Sequence, residues 1–470
     1  MQPSSKNECD HIESAKVIAS SSQPLSSDAE KERRLVRKLD RTILVWIMIL
    51  YLLSYLDRSN IGNARNIGLA TDLHLNSSMY QLASASFYIG TFLFGTIGGL
   101  MLKVIKPSTW LGLCAIGWGS PFASSWEFFE ASFAPGCALY LSFWYLKSEL
   151  SLRIAAYAGM SAASGVISGL IAYGVGNAGF HKPAAWQVLF MVEGLPTIVF
   201  GLLTFWVPPG RPEMGKSHWF TDEEHLIILS RRTRFTKNSD DGINWVQIRG
   251  AFKDYRLYLF VFIYSGLSLS LAVSAVFLPT IVGTLGYKSV EANLMTAPVY
   301  GVAYFVLLVT AWLSDRFRMR GPFIALGGLI AGIGYILLGT LSDQKSRYGV
   351  CILAIAGTYM AFPLTLAWIS STFAGDSKAG TGIGVVIAVT HAVGVAASTI
   401  YPAEDAPHYL MGNAVSGALT LTTAVAAILM SFLLFRENRS RDKKYGRPEI
   451  GIPIDMGGDA DMARDYRYEL

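Results

Sequence analysis

Tyr51-Leu-Leu-Ser-Tyr-Leu-Asp57-Arg58-Ser-Asn60-Ile-Gly-Asn-Ala64 closes an apolar run that begins near Ile43. Read as a helix, such a run is long enough to enter a bilayer. Asp57 and Arg58 come about fourteen residues into it, roughly two thirds of a span. A carboxylate and a guanidinium at that depth are costly in lipid, so they face a protein interior or a water-filled path. If the remainder of the chain is a membrane bundle, its solute should pass here.

The remainder does read that way. Of 470 residues, 52% are hydrophobic and only 16% charged, where a soluble chain carries about 25% charged residues; the mean hydropathy is +0.37. The net charge of +5 is confined to short segments between apolar runs. It is therefore no nucleic-acid footprint, and no nucleic-acid partner is expected. Cys9, Cys114, Cys137 and Cys351 are scattered without a CxxC pair, which argues against a disulfide framework or a zinc site. No nucleophile elbow, P-loop or metal-ligand cluster appears, so no enzyme activity, catalytic residue, metal or cofactor is expected. The start of the chain is polar and Ser-rich without an apolar core, so no cleavable signal peptide is expected. The first span would serve as the targeting signal.

Apolar runs follow at 43–56, 81–102, 110–123, 128–146, 154–175 and 186–207, then at 257–282, 294–313, 322–341, 348–373, 381–401 and 415–435. That makes about twelve spanning candidates. The reading is an all-α membrane protein with a disordered N-terminal tail (1–40), a six-helix half (41–207), a central loop (208–256), a second six-helix half (257–435) and a C-terminal tail (436–470). Lys and Arg concentrate in alternate loops: the basic lead-in 31–41, Lys103 and Lys106, Lys147 and Arg153, 231–234, Lys253 and Arg256, Arg316 to Arg320, Lys378, and 436–444. By the positive-inside rule both termini and the central loop are cytoplasmic. In that loop Thr221 and Glu224 have capping-box spacing, and 243–252 has the pattern of a second short amphipathic helix. The pair reads as a partner-binding surface or as two helices lying along the bundle.

Between Lys106 and Lys147 the chain must cross and return, leaving about forty residues for two spans of about twenty each with no turn. The third and fourth helices are therefore expected to be short. Within the runs, Asp57, Asn60 and Ala64 share one helical face, while Arg58, Gly62 and Arg65 lie on the neighbouring one. Arg58 and Asn60 are candidate ligands for a carboxylate solute, Arg58 through its two-pronged donor fork. Asp57 and Glu130 are candidate proton carriers; the alternative for each is a structural or water-exposed role. Glu193 reads as nearer a helix start and as a structural partner for a loop amide or an arginine. His391 lies well inside an apolar run and suits either a proton-linked step or a simple buried hydrogen bond. Tyr264 and Trp368 could line a cavity or merely pack. Asp315 and Arg316, on a turn between two spans, suit a charge–dipole latch that governs opening. Gly165-Val-Ile-Ser-Gly169 permits close helix approach and is read as packing. Asn76-Ser-Ser78 is a glycosylation sequon placed close to a helix start.

Two blocks of six spans, a long central loop and the Asp315-Arg316 turn resemble the major facilitator superfamily. Within it, Tyr55-Leu-Asp-Arg-Ser-Asn-Ile-Gly-Asn-Ala64 resembles the first-helix signature of the fungal anion:cation symporters, the allantoate, nicotinate and pantothenate permease group. So do Glu130-Ala-Ser-Phe-Ala-Pro-Gly136, Glu193-Gly-Leu-Pro196, Phe277-Leu-Pro-Thr280, Trp312-Leu-Ser-Asp-Arg316 and Asp405-Ala-Pro-His-Tyr409. The resemblance implies alternating access around a midplane site and proton-coupled uptake of a small organic anion by a monomer in the plasma-membrane bilayer. Three departures stand out. An arginine that the family carries a few residues before the Glu130 motif is missing, Gly95-Thr-Ile-Gly-Gly-Leu100 replaces a Glu-x-Pro-Ser-Asn-Leu pattern, and His391 stands where the family has asparagine. They keep open two other readings: export of a small metabolite or toxin, and a transport-defective paralogue or sensor.

Overall fold

A computed structural model describes residues 25–119, 127–180, 182–212, 215–235, 245–287, 289–373, 376–447, 461 and 466–470. Helix α1 (Leu25–Leu39) passes through a π-helical turn (Asp40–Leu44) into α2 (Val45–Asn66), so the basic lead-in and the first apolar run form one rod. The short α3 (Leu69–Asp72) is entered through Gly68 at φ 108°, a left-handed turn that suits glycine. Then come α4 (Ser77–Val104), α5 (Pro107–Gly119), α6 (Glu127–Ser142), α7 (Lys147–Asn177) and α8 (Ala185–Leu203). The central segment holds α9 (Asp222–Phe235) and α10 (Trp245–Lys253). The second group comprises α11 (Tyr255–Gly283), α12 (Ser289–Phe317), α13 (Gly321–Thr340), α14 (Gln344–Thr372), α15 (Asp376–Val395), α16 (Ala397–Ile400) and α17 (Leu410–Tyr445). No strand occurs among the described residues.

Among the described residues, nine helices are long and apolar enough to cross a membrane. Helices α5 and α6 have 13 and 16 residues, about 20 and 24 Å of rise against a hydrocarbon core of about 30 Å. The intervening 120–126, on which part of the short-helix expectation falls, lies outside the described residues. Faces turned away from the bundle are apolar: Met191 and Leu195 on α8, Phe305 and Trp312 on α12, Val425 and Ile428 on α17. In water such patches would be a liability; against acyl chains they are the ordinary surface. Asn76 accepts a hydrogen bond from the Met79 amide at 2.8 Å and so caps α4.

The capping box is present: Thr221 N donates to Glu224 Oε2 at 2.9 Å and Glu224 N donates to Thr221 Oγ1 at 3.2 Å. Helix α9 lies along the bundle end, where Glu223 pairs with Lys31, Glu224 with Lys38 and Arg231 with Glu149. At the same end of the second group, two acids and two bases are buried together. Asp254 Oδ2 is 2.6 Å from Arg256 Nη2 and 3.1 Å from Lys378 Nζ, and Asp461 Oδ2 is 2.7 Å from each base. The last described residues sit beside this cluster. Trp368 Nε1 donates to the Glu469 carbonyl at 2.9 Å, and Arg320 pairs with the Glu469 carboxylate at 2.6 Å. Helix α17 thus runs beyond the apolar stretch to Tyr445 and carries Arg441, which donates to the Asp461 carbonyl at 2.9 Å.

This cluster predicts a pH-dependent stability. Burial alone would raise the Asp254 carboxyl, but its bonds to Arg256 and the nearby Lys378 hold it below the usual carboxylate range. A carboxylate depressed in the folded state stabilises above its unfolded value of about 3.9, and that contribution is lost as pH falls through the depressed value. Asp254→Asn should cost about 3 kcal/mol, read as a lower unfolding temperature of the detergent-solubilised protein at neutral pH. The gap to the parent should begin to narrow below pH about 4 and close as pH falls through the depressed value; a gap unchanged by acid would show that the charge is not what Asp254 contributes.

Candidate functional site

Helical spacing turns Asp57 and Arg58 in different directions, and the structure gives them different surroundings. Arg58 Cζ stacks 4.2 Å from the Tyr55 ring centre. Tyr264 on α11, Tyr359 on α14 and His391 on α15 are within electrostatic reach of Arg58. Tyr51 packs 5.0 Å from Tyr55 and 4.9 Å from Tyr157, extending the aromatic wall to α7. A guanidinium from the first group therefore stacks on Tyr55 and has aromatic and imidazole side chains of the second group within electrostatic reach. His391 Nδ1 donates to the Ile387 carbonyl at 2.7 Å. Its ring centre is 5.9 Å from that of Tyr88.

Asp57 turns toward α8. Its Oδ2 accepts from Thr197 Oγ1 at 3.0 Å, and the same hydroxyl is 3.1 Å from the Glu193 carbonyl. Behind Thr197 lies Glu193, 1% exposed, with neither carboxyl oxygen hydrogen-bonded among the described residues. Asn60 is 0% exposed, and both its side-chain polar atoms also lack partners. Ser168 on α7 is held by Ser59 at 2.8 Å and by Asn63 at 2.6 Å. Asn60 and Ser168 approach Glu193 without completing a hydrogen bond, and Asp57 is the charged group within its electrostatic reach. Among the described residues, no loop amide or arginine pairs with Glu193. Glu193 lies in mid-helix in α8, on the face opposite the exposed Met191 and Leu195.

The structure thus brings Arg58, Tyr264 and His391 together, and sets Asp57 and Asn60 beside them against Glu193. Trp368 is elsewhere. It is fully buried near the end of α14, 5.4 Å from the Phe260 ring and bonded to the Glu469 carbonyl. Glu130 is on α6, but its side chain lies outside the described residues. Asp315 and Arg316 are exposed in the last turns of α12, with Arg320 and Glu469 as the charged neighbours of Asp315. Sequence reasoning passed over Glu193 and Thr197 as site members. The available signal was one acid in an otherwise uncharged run, 186–207.

The two groups are sealed together at the end of the bundle opposite the central segment. A Cβ added at Gly62 would lie 2.6 Å from the Val276 carbonyl oxygen, and one at Gly165 would lie 2.4 Å from the Tyr300 ring. Gly169 meets the Asn293 carbonyl at 2.6 Å in the same sense. Asn66 Nδ2 donates to Asn293 Oδ1 at 2.8 Å across the seam. The glycine pair read as packing therefore packs one group against the other rather than within one.

Two groups of apolar helices closing on charged and aromatic side chains at membrane depth define a multi-pass membrane transporter of the secondary kind. The chain belongs to the major facilitator superfamily, whose family model matches residues 47–399. It is 32% identical to the MFS transporter prlL of a fungal species (strain NRRL 50135), over 90% of each chain. It is 31% identical to the high-affinity nicotinic acid transporter of Saccharomyces cerevisiae, over 90% of this chain and 82% of that one. The fold is similar to that of the xylose transporter XylE from E. coli in a partially occluded inward-open conformation. There the TM-score is 0.60 at 14% identity, covering 84% of this chain and 97% of the other. The resemblance to fungal permeases accords with these relatives, and the protein is a transporter rather than an enzyme.

Proposed function

We propose that the protein imports a small organic carboxylate by proton symport, with alternating access about the Arg58 site. The observation that carries this reading is the placement of Arg58 between the two groups. Its planar fork matches a carboxylate, and Tyr55 stacked on it, with Tyr264 and Tyr359 within electrostatic reach, suits a small flat acid. The nicotinic acid transporter among its relatives makes nicotinate the first acid to try. The distribution of Lys and Arg supports a cytoplasmic location for both termini and the central segment, so that import is movement toward that face. Asp315 and Arg316 lie on that face and act on opening rather than on the solute.

Uptake of radiolabelled nicotinate and a panel of small carboxylates into cells expressing the chain tests this. Accumulation that a protonophore abolishes is the expected result. No accumulation of any acid would overturn the substrate class, and accumulation indifferent to the protonophore would overturn the coupling.

A further inference from the structure

Buried acids in a membrane bundle call for an accounting of charge. Glu193 is 1% exposed and, among the described residues, has no hydrogen-bond donor on either carboxyl oxygen. Among the described residues, the elements packed against α8 supply it with no cation. Helix α2 presents Asp57, a second acid, and α7 presents Ser168. Helix α5 has no acidic or basic side chain, its one thiol being the buried Cys114; α8 itself carries no other charged residue. An ionised carboxylate left there without donors costs several kcal/mol, and a second carboxylate beside it adds repulsion. The sealed conformation therefore demands one positive charge in this pocket. A proton supplies it with no further ligands, whereas a metal cation would need several oxygen atoms drawn in around it.

We infer that Glu193 is the carboxyl that holds the coupling proton, loaded and unloaded through Asp57, a role that rests on the proton-symport reading above. Asp57 is half-buried beside Arg58 and tied to α8 through Thr197. It is the more exposed acid of the pair, since Glu193 is 1% exposed. A proton taken from water by the Asp57 carboxylate passes to Glu193, so Asp57 loses the proton that Glu193 gains. The reverse transfer returns it to water on the other side. A solute carboxylate held on Arg58, the next residue along α2 from Asp57, brings a further negative charge near the two acids. Solute binding therefore strengthens the demand for the proton, and the two travel together.

The test reads protonation and transport separately. In the purified protein without solute, infrared spectroscopy should show the carbonyl stretch of a protonated carboxyl, absent in Glu193→Gln. This arm does not depend on which acid is carried. In proteoliposomes, Glu193→Gln should lower gradient-driven accumulation of nicotinate, or of whichever panel acid the parent accumulates, at least tenfold, and solute exchange much less. Thr197→Val, which keeps both carboxyls, should shift the pH profile of uptake. A band that persists in Glu193→Gln, or gradient-driven accumulation that survives it, overturns the inference. So does sodium-dependent thermal stabilisation of the parent that is lost in the variant, which would make the pocket a cation site. A parent whose band depends on Glu193 but whose transport ignores a proton gradient sinks the symport reading, and with it the coupling role, while leaving the proton on Glu193.

Discussion

Arg58→Gln should reduce uptake of a small carboxylate by about a hundredfold, whereas Arg58→Lys should reduce it by about tenfold. A charge-assisted bidentate pair contributes roughly 1.5–3 kcal/mol, and each 1.4 kcal/mol is a factor of ten. Glutamine retains donors but no charge. Lysine retains the charge but loses the planar fork and much of the stacking on Tyr55, since a guanidinium lies flat on a ring where an ammonium does not. The loss should be in affinity, seen as a raised KM for the acid, with a smaller change in the maximal rate. A Tyr55→Leu variant should produce a milder loss of the same kind, because it frees the guanidinium to swing out of place. Full activity in Arg58→Gln would remove Arg58 from the solute site and leave the aromatic wall without a charged anchor.

How much of this was legible in the sequence depends on the scale of the feature. The helical bundle follows from apolar runs of spanning length, because lipid enforces internal hydrogen bonding and leaves few alternatives. The splitting of Asp57 from Arg58 follows from helical geometry alone, as does the sharing of a face by Asp57 and Asn60. What lies opposite each face does not. Nothing in the run 186–207 says that Glu193 meets Asp57 rather than an arginine, since that depends on which helices are neighbours and at what height. Trp368 illustrates the converse. It reads as an aromatic at membrane depth like Tyr264, yet it lies at the bundle end against the Glu469 carbonyl. The tail contacts of Asp461 and Glu469 were likewise invisible, because a polar stretch of chain carries no periodicity that points to its docking site.

The seam opposite the central segment yields the other large effect. Gly62→Ala should lower uptake about 5- to 150-fold by opposing closure at that face. The new methyl would stand 2.6 Å from a backbone oxygen, that of Val276, which no side-chain rearrangement can withdraw. Overpacking of this kind costs about 1–3 kcal/mol, enough to shift a two-state equilibrium about 5- to 150-fold toward the arrangement in which the groups are apart. Gly165→Ala meets a ring instead of a backbone: its Cβ would lie 2.4 Å from Tyr300. That difference makes the mechanism testable. Tyr300→Ala should restore much of the uptake lost in Gly165→Ala, while truncating Val276 should restore none of that lost in Gly62→Ala. A thiol reporter at Ala297, 8% exposed in the seam, should react faster with an impermeant maleimide in both single variants than in the parent. If both variants transport normally and the reporter reacts no faster, the contact between the two groups is static packing and the seam does not open in the transport cycle.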